Sequence, residues 1–556
     1  MKTLLEGLQS LISRTLKKCD GVPIEARHVE FSFPPKEFGD LSLNLAMKLS
    51  KELKKKPREL ASVFVEVLEA DADIQEIFSS IRVEGPGFIN FTYSDNMVGR
   101  IVSTIREQKE HFGQNHFLAG KSILMEFVSA NPTGPLTIAH ARQAAVGDCL
   151  ARVLSASGAK VHREYYNNDR GNQVTLLGKS VFCRYLEKFG KDVTFPEDGY
   201  QGDYIKIIAD EMAEKYGRQK ENLLAEEGAE FFKHEAAEKM LQQIIKDLAD
   251  FRVQFDRFFS EKSLLSSDKI QTCLNDLKEK GHSYEQDGAL WFASSRWKDD
   301  KDRVLIKTDG EYTYLTSDIA YHLDKLQRGV DLLVNLVGPD HHGYIPRMKA
   351  AVEALGYQPD QIQFLIIQLV TLYRGQEQLK MGKRSGVYVT LRELLEEVGT
   401  DAARYFFVRR KMDSPLDFDL ELAKKQTPDN PVFYVQYASA RISSMLKKAL
   451  EKNPLYGRTD VSFDASCIGD AEKFLLKMIC RFPEVVGEAA VHFEVHKVAN
   501  FLEETAGFFQ EYYSSGNKVI SENVEMTVQK LIVCRCFQQV INNGLNLLGI
   551  SIPERM

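Results

Sequence analysis

Residues Met125 to His140 read MEFVSANPTGPLTIAH and carry the strongest local signals for the architecture of the chain. Ser122 to Ser129 is short, apolar and bounded by polar residues, which predicts a buried strand. The prolines at 132 and 135 forbid regular pairing, so residues 131–135 are predicted to form a loop. Ala139 to Ser157 carries Ala, Val and Leu at helical spacing and stops at Gly158, which predicts a helix.

The order strand, loop, helix also predicts a binding site. In a parallel sheet it places the loop at the carboxyl end of a strand, where the amides of the helix N-terminus favour a phosphate. His140 lies in the first turn of that helix. A lone histidine on a helix is usually structural, but the loop before it favours a functional role here.

Two segments carry a family resemblance. Thr137-Ile138-Ala139-His140 resembles the first signature of class I aminoacyl-tRNA synthetases, His-Ile-Gly-His, and the surrounding SANPTGP resembles its arginyl-tRNA synthetase version. Leu379 to Gly386, LKMGKRSG, resembles the second signature, Lys-Met-Ser-Lys. Thr137, Ala139 and Gly382 depart from those signatures, and we expect a reduced catalytic margin with activity retained.

The resemblance implies activation of an amino acid by ATP without a protein nucleophile. The catalytic groups that it implies stabilise charge on the triphosphate. They are His140, Thr137, Lys380 and Lys383. The implied ATP contacts are Ser129, Thr137, His140, Gly338, Lys380, Met381 and Lys383. ATP with Mg²⁺ is the expected co-substrate, and no bound metal or organic cofactor is expected.

A pocket for arginine has its own chemical requirements. A guanidinium is a planar cation with five donors, so its pocket needs carboxylates at one end and a second polar set at the other. YLTSD (314–318) and GPDHHGY (338–344) resemble the amino-acid pocket of arginyl-tRNA synthetases. We expect Asp318 and Tyr314 to contact the guanidinium, unless Asp318 only complements the helix dipole. The expected contacts of the α-amino and carboxylate groups are Asn131, Glu126 and His341.

Composition limits the class of protein. A chain of 556 residues predicts about three domains. The net charge of −7 means that a nucleic acid would have to bind to locally basic surface. The eight cysteines form no CxxC pair, and the adjacent Asp340, His341 and His342 have no further ligands at metal-binding spacing, so no metal site is expected. No apolar run reaches membrane-spanning length, so we expect a cytoplasmic protein with no membrane contact.

The predicted fold class is α/β. We expect a split Rossmann-type nucleotide-binding catalytic domain, an N-terminal α/β domain and a C-terminal all-α helical bundle. The predicted bounds are 1–115 for the N-terminal additional domain, 116–428 for the catalytic domain with a helical insertion at about 185–300, and 429–556 for the bundle. The resemblance implies that the first domain contacts the outer corner of tRNA and that the bundle binds the anticodon. The implied tRNA contacts are Phe433, Tyr437 and Met556.

Some local structure is also predicted within the catalytic domain. Residues 303–315 are expected to form a hairpin around Asp309-Gly310, followed by a helix capped at Thr316 or Ser317. Gln361 to Tyr373 is expected to form one buried strand.

The resemblance implies an arginine–tRNA ligase whose partners are tRNA(Arg), arginine and ATP, acting as a monomer. Two alternatives remain open. One is a ligase of the same fold that aminoacylates another acceptor, and the other is a non-catalytic tRNA-binding paralogue with degraded signature boxes.

Overall fold

The structure is a computed structural model that describes residues 3–19, 24–379, 389–458 and 461–556. Its N-terminal part is an antiparallel sheet of order β1-β2-β4-β3 covered by helices. The elements are α1 (Leu4–Leu16), β1 (Phe31–Ser32), β2 (Leu41–Leu43), α2 (Leu45–Leu49), α3 (Pro57–Glu69), α4 (Ala72–Ile77), β3 (Phe78–Glu84), β4 (Phe88–Tyr93) and α5 (Asp95–Gln108). A capping box between Thr3 and Glu6 starts α1, and Pro57 takes the first position of α3, where its missing N–H costs nothing.

The central part is α/β, as predicted. Its elements up to the second half are β5 (Ser122–Glu126), α6 (Ile138–Ala156), β6 (Lys160–Asn167), α7 (Asn172–Lys188), α8 (Asp203–Tyr216), α9 (Ala225–Asp250), β7 (Arg257–Ser260), α10 (Lys262–Leu265) and α11 (Lys269–Glu279). The remaining elements are β8 (Ser283–Gln286), β9 (Ala289–Phe292), β10 (Arg303–Ile306), α12 (Tyr314–Gln327), β11 (Leu332–Val337), α13 (Tyr344–Ala354), β12 (Ile362–Ile366), β13 (Val370–Arg374), β14 (Glu377–Gln378), α14 (Leu391–Val398), α15 (Thr400–Val408), β15 (Leu416–Asp419) and α16 (Leu420–Lys424).

Five strands of this part form one parallel sheet of order β12-β11-β5-β6-β7. The carboxyl ends of parallel strands meet at one edge, where ligands bind at the point at which the strand order reverses. In this sheet β6 lies on one side of β5 and β11 lies on the other, so the strand order reverses at β5. The binding edge is therefore expected beside the carboxyl end of β5. Helix α6 packs closely behind it, because a Cβ at Gly147 would lie 2.4 Å from the ring of Phe127.

The predicted insertion at 185–300 is only partly helical. Helices α7, α8 and α9 share a separate apolar core, but β7 follows them and pairs with β6 as a strand of the central sheet. The prediction was wrong here because four residues, RFFS, carry too short a pattern to be recognised as a strand. Their identity as a strand depends on pairing with β6.

Two local predictions were also wrong. The hairpin at 303–315 is reduced to a single bridge between Ile306 and Tyr312, and β10 pairs instead with β9. Helix α12 begins at Tyr314 after Thr313, three residues before the predicted cap. The Thr313 hydroxyl donates to the Val304 carbonyl at 2.9 Å. This hydrogen bond holds the N-terminus of α12 against β10.

The single strand predicted at 361–373 is two strands in two sheets. β12 belongs to the central sheet, whereas β13 lies in a small sheet of order β14-β13-β15. The break occurs at Gln368 and Leu369, whose carbonyls accept hydrogen bonds from Nη1 of Arg142 at 2.8 and 3.4 Å. This buried guanidinium on α6 occupies the groups that a continuous strand would pair.

The C-terminal part is all helical, as predicted. Its helices are α17 (Pro431–Lys452), α18 (Asp470–Ile479), α19 (Phe482–Val491), α20 (His496–Ser514) and α21 (Val524–Leu547). The buried Arg404 of α15 joins it to α6, because its Nη2 lies 2.5 Å from Asp148 of α6 and its Nε donates to the carbonyl of Leu548, after α21, at 3.0 Å. None of the helices in the described ranges has the length and apolar character needed to cross a membrane.

Candidate active site

The loop after β5 has a strained backbone. Val128 and Ser129 have φ angles of +68° and +41°, a region that a β-branched residue rarely enters. This turn lets the Ser129 hydroxyl donate to Oε1 of Glu126 at 3.0 Å while its oxygen accepts from the backbone N–H of Tyr166 at 3.1 Å. The two hydrogen bonds of Ser129 therefore hold the Glu126 carboxylate, at the end of β5, next to β6.

Thr137 and His140 contact each other at the start of α6. Nδ1 of His140 accepts from the backbone N–H of Thr137 at 3.1 Å and also lies 3.1 Å from the Thr137 hydroxyl. This places both predicted catalytic side chains at the positive end of the helix dipole, where an anion is favoured.

The loop that precedes Thr137 contacts two further helices. Nδ2 of Asn131 donates to Oε1 of Gln173 on α7 at 2.6 Å, and the hydroxyl of Tyr204 on α8 donates to the Thr133 carbonyl at 2.8 Å. The inserted helices thus contact the loop directly. Both contacts join residues more than 40 positions apart, which the sequence pattern does not predict.

An acidic cluster occupies the carboxyl edge of the sheet. Burial, followed by the nearby charge of Glu126, raises the pKa of Asp318 to about 7. The hydroxyl of Tyr344 hydrogen-bonds to Asp318, and burial beside this carboxylate raises the pKa of that tyrosine well above its ordinary value. Two carboxylates that the sequence predicted as substrate contacts therefore lie close together.

Three further members of this cluster were not predicted. Burial, followed by the charge of Asp169, raises the pKa of Glu261, whose carboxylate hydrogen-bonds to Tyr166. Burial and four surrounding carboxylates, those of Glu261, Asp318, Glu126 and Asp169, raise the pKa of Tyr166. Asp169 and Glu261 follow β6 and β7 directly, so recognition of β7 as a core strand would have indicated Glu261.

A buried lysine, Lys325, contacts Glu126 of this cluster. Lys325 on α12 places Nζ 2.7 Å from Oε2 of Glu126 and 2.9 Å from Oδ1 of Asn335, and its side chain is fully buried. The cluster sets four carboxylates against this lysine and Arg170, whose charge lowers the pKa of Glu261. Such a cluster suits a ligand with two cationic groups, and arginine has an α-ammonium and a guanidinium group.

Other predicted site residues are less constrained. Tyr314 is 78% exposed at the first turn of α12. His341 is exposed, with its ring edge-on to Tyr344 at 5.7 Å between centroids, and Gly338 follows the end of β11. Their contacts with ligands stay predictions.

The second signature lies outside the described residues, which include neither Lys380, Met381 nor Lys383. The chain that follows it is fixed beside the first signature. Thr390 forms a bridge with Thr137, and the backbone N–H of Leu391 donates to the Leu136 carbonyl at 2.7 Å. The roles of the two lysines stay predictions.

The predicted tRNA contacts lie on one side of the bundle. The rings of Phe433 and Tyr437 stack on α17 with centroids 5.8 Å apart. Arg441 lies over Tyr437 at 5.0 Å and over Tyr513 at 4.1 Å. Tyr437 and Met556 line the same open cavity of about 640 Å³, together with Arg441, Lys448, Tyr513 and Lys518.

Comparison with known families covers almost the whole chain. Residues 6–93 match the arginyl-tRNA synthetase N-terminal domain, 101–424 match the class I (R) tRNA synthetase catalytic domain, and 435–556 match the DALR anticodon-binding domain.

Curated relatives of similar length are named arginine–tRNA ligases. One from Halalkalibacterium halodurans is 46% identical over 526 residues, covering 94% of this chain and 93% of that protein. One from Geobacillus kaustophilus is 46% identical over 521 residues with the same shares. Among solved structures, Thermus thermophilus arginyl-tRNA synthetase shares the fold, with a TM-score of 0.77 at 22% identity over the full length of both chains.

Proposed function

The chain belongs to the arginyl-tRNA synthetase family, and on that premise we propose that it acts as an arginine–tRNA ligase. Arginine and Mg-ATP give arginyl-adenylate and pyrophosphate, and the arginyl group then passes to the 2′-hydroxyl of the terminal ribose of tRNA(Arg). The proposal includes action as a monomer in the cytoplasm. The observation that carries it is the cluster of partly buried carboxylates beside the first signature loop, formed by Glu126, Asp169, Glu261 and Asp318.

In this proposal, different carboxylates of the acidic cluster bind the two cationic groups of arginine. Asp318, with Glu261 and Tyr166 beside it, takes the guanidinium, because several carboxylate oxygens can accept its planar set of donors. Glu126 at the end of β5 takes the α-ammonium group, with Asn131 and His341 as further polar partners. The α-carboxylate is then directed toward the loop and the N-terminus of α6.

Activation requires positioning and charge stabilisation. One oxygen of the arginine α-carboxylate attacks the α-phosphorus of ATP, and the bond from that phosphorus to the bridging oxygen of pyrophosphate breaks. Thr137 and His140 donate hydrogen bonds to the triphosphate as its charge shifts, and Lys380 and Lys383 neutralise the departing pyrophosphate. Ser129, Gly338 and Met381 contact the nucleotide.

Transfer needs tRNA on the same molecule. The ribose 2′-hydroxyl attacks the adenylate carbonyl, the bond from that carbonyl carbon to the phosphate oxygen breaks, and AMP leaves while the hydroxyl proton passes to solvent. The ring and cation surface of Phe433, Tyr437 and Arg441 supports anticodon binding, because unpaired bases stack on aromatic and guanidinium planes. The N-terminal domain then contacts the outer corner of the tRNA.

Aminoacylation of tRNA with radiolabelled arginine tests this function. We expect ATP-dependent formation of arginyl-tRNA by the purified protein, and a faster reaction with Thr137→His, which restores the signature histidine. Absence of charging, with tRNA still retained on a filter, would overturn the ligase proposal and favour the non-catalytic paralogue. Charging of tRNA with another amino acid would overturn the arginine pocket alone.

A matched pair of lysines tests the tRNA surface. Lys448 lines the cavity beside Tyr437, whereas its neighbour Lys447 is exposed outside it. Lys448→Ala is expected to raise the KM for tRNA by about three- to tenfold through loss of one phosphate contact. Lys447→Ala removes the same charge and is expected to leave that KM within about twofold. Equal effects would show that general charge, not this surface, binds the tRNA.

A further inference from the structure

Lys325 is a fully buried lysine whose ammonium group has a complete set of partners. Its three N–H donors meet Oε2 of Glu126 at 2.7 Å, Oδ1 of Asn335 at 2.9 Å and the face of the Tyr321 ring at 4.2 Å from the centroid. A buried ammonium is tolerated only when its charge is paired and its donors are satisfied. The partners lie on β5, β11 and α12, so this lysine joins three elements beneath the pocket.

The lysine shares a helix face with the guanidinium contact. Asp318 and Lys325 are seven residues apart on α12, which places both on the side that faces the sheet edge. Asp318 is the proposed guanidinium contact, whereas Lys325 contacts Glu126, the proposed ammonium contact. One helix therefore acts on both ends of the pocket, directly at one end and through Glu126 at the other.

Glu126 is held at both of its oxygens. The Ser129 hydroxyl fixes Oε1 from the strained loop, and Lys325 fixes Oε2 from α12. Each oxygen has one lone pair left, and their direction is set by the two bonds already made. We propose that Lys325 is a positioning residue that aims the Glu126 carboxylate at the substrate's α-ammonium group.

This inference rests on the proposed arginine pocket and goes beyond it. A purely structural ion pair would neutralise Glu126 and would have no preference among substrates. A positioning role predicts instead that loss of Lys325 weakens recognition of the α-ammonium group alone. The Lys325 charge also lowers the pKa of Asp318, so recognition of the guanidinium should persist at alkaline pH, where Asp318 stays ionised without this lysine. The assays are therefore run at alkaline pH.

The test uses arginine and 5-guanidinopentanoic acid, the analogue that lacks the α-amino group. With the full-length Lys325→Met variant in the charging assay, we expect the KM for arginine to rise at least tenfold. The inhibition constant of the analogue and the KM for ATP should stay within about twofold. A parallel rise in all three constants, or no rise in any, would overturn the proposal.

Two further variants keep the test decisive. Lys269 of α11 forms an ion pair of 2.7 Å with Asp324 of α12, away from Glu126, so Lys269→Met is expected to leave all three constants unchanged.

If Lys325→Met fails to fold, Asn335→Ala removes one hydrogen-bond partner of Lys325 without leaving Glu126 unpaired. It should raise the KM for arginine about two- to fivefold with the analogue unaffected, and an unchanged ratio would overturn the proposal. Failure of the wild type to charge arginine would instead overturn the proposed function.

Discussion

Arginine affinity should depend on pH through Asp318. Burial and the neighbouring Glu126 charge hold its pKa at about 7, so the empty pocket carries a protonated acid below that pH. A guanidinium requires the carboxylate form, because the protonated acid offers a donor where an acceptor is needed. Arginine binding must therefore expel the proton at low pH and need not do so at high pH.

The magnitude follows from the fraction of Asp318 that is ionised. A pKa of about 7 leaves about 9% ionised at pH 6 and about 91% at pH 8, so arginine should bind about tenfold more weakly at pH 6. At pH 7 about half a proton should be released for each arginine bound. His322, whose ring bonds to the Asp318 carbonyl, does not titrate in this range, since burial holds its pKa well below the ordinary value.

Calorimetry can measure both quantities. Titrations with arginine at pH 6, 7 and 8, each in two buffers of different ionisation enthalpy, give the affinity and the number of protons released. Asp318→Asn should bind weakly and without the pH dependence. Glu484→Gln serves as a control, because the pKa of Glu484 is also about 7 but this residue lies at the interface of the N-terminal domain and the bundle. A constant affinity from pH 6 to 8 without proton release would show that Asp318 is not the titrating contact of the guanidinium.

Three other variants test stability and catalysis. Burial raises the pKa of Glu484 from 4.5 to about 7, so the folded state keeps a proton that the unfolded state loses, and stability should fall as pH rises from 4.5 to 7. Thermal unfolding of Glu484→Gln should lack this decline and show a gain of up to about 3 kcal/mol at pH 8; an unchanged profile would contradict the assignment. In chemical unfolding, Gly549→Ala should lower the free energy of unfolding by about 1–3 kcal/mol more than Gly516→Ala does. Both glycines have a positive φ, but only at Gly549 would a Cβ lie 2.3 Å from Arg404. Thr137→Ala should lower kcat for ATP–pyrophosphate exchange about fivefold, since one hydrogen bond of about 1 kcal/mol is lost in the transition state, and an unchanged kcat would exclude that bond.

The parts of the fold that the sequence predicted are those with strong local signals. Prolines mark the signature loop, alanines at helical spacing mark α6, and Gly158 ends it with a φ of +92°. The helices of the bundle were likewise predicted from periodicity. The sequence pattern from Asp470 to Val486 also predicts one helix, but the structure has a turn before Phe482, and Pro483 takes an early position in the next helix.

The parts that were missed depend on contacts distant in sequence. β7 is a strand because Glu164 to Asn167 pair with it. β12 ends just before Gln368 and Leu369, whose carbonyls accept hydrogen bonds from Arg142. The same reason applies to the site. Glu261 follows the unrecognised β7, and Lys325 is indistinguishable from a surface lysine until Glu126, 199 positions away, is placed beside it.

If Asp318 takes the guanidinium and Glu126 takes the α-ammonium group, as proposed, helix α12 also predicts selectivity by length. Asp318 lies on this helix, and Lys325, seven residues further along it, holds Glu126, so one helix fixes both acidic contacts relative to each other. A substrate that is one methylene longer than arginine would then misplace one of its two cations and leave a carboxylate unpaired. Charge is expected to attract any basic amino acid, and the fixed spacing of the two carboxylates is expected to select among them.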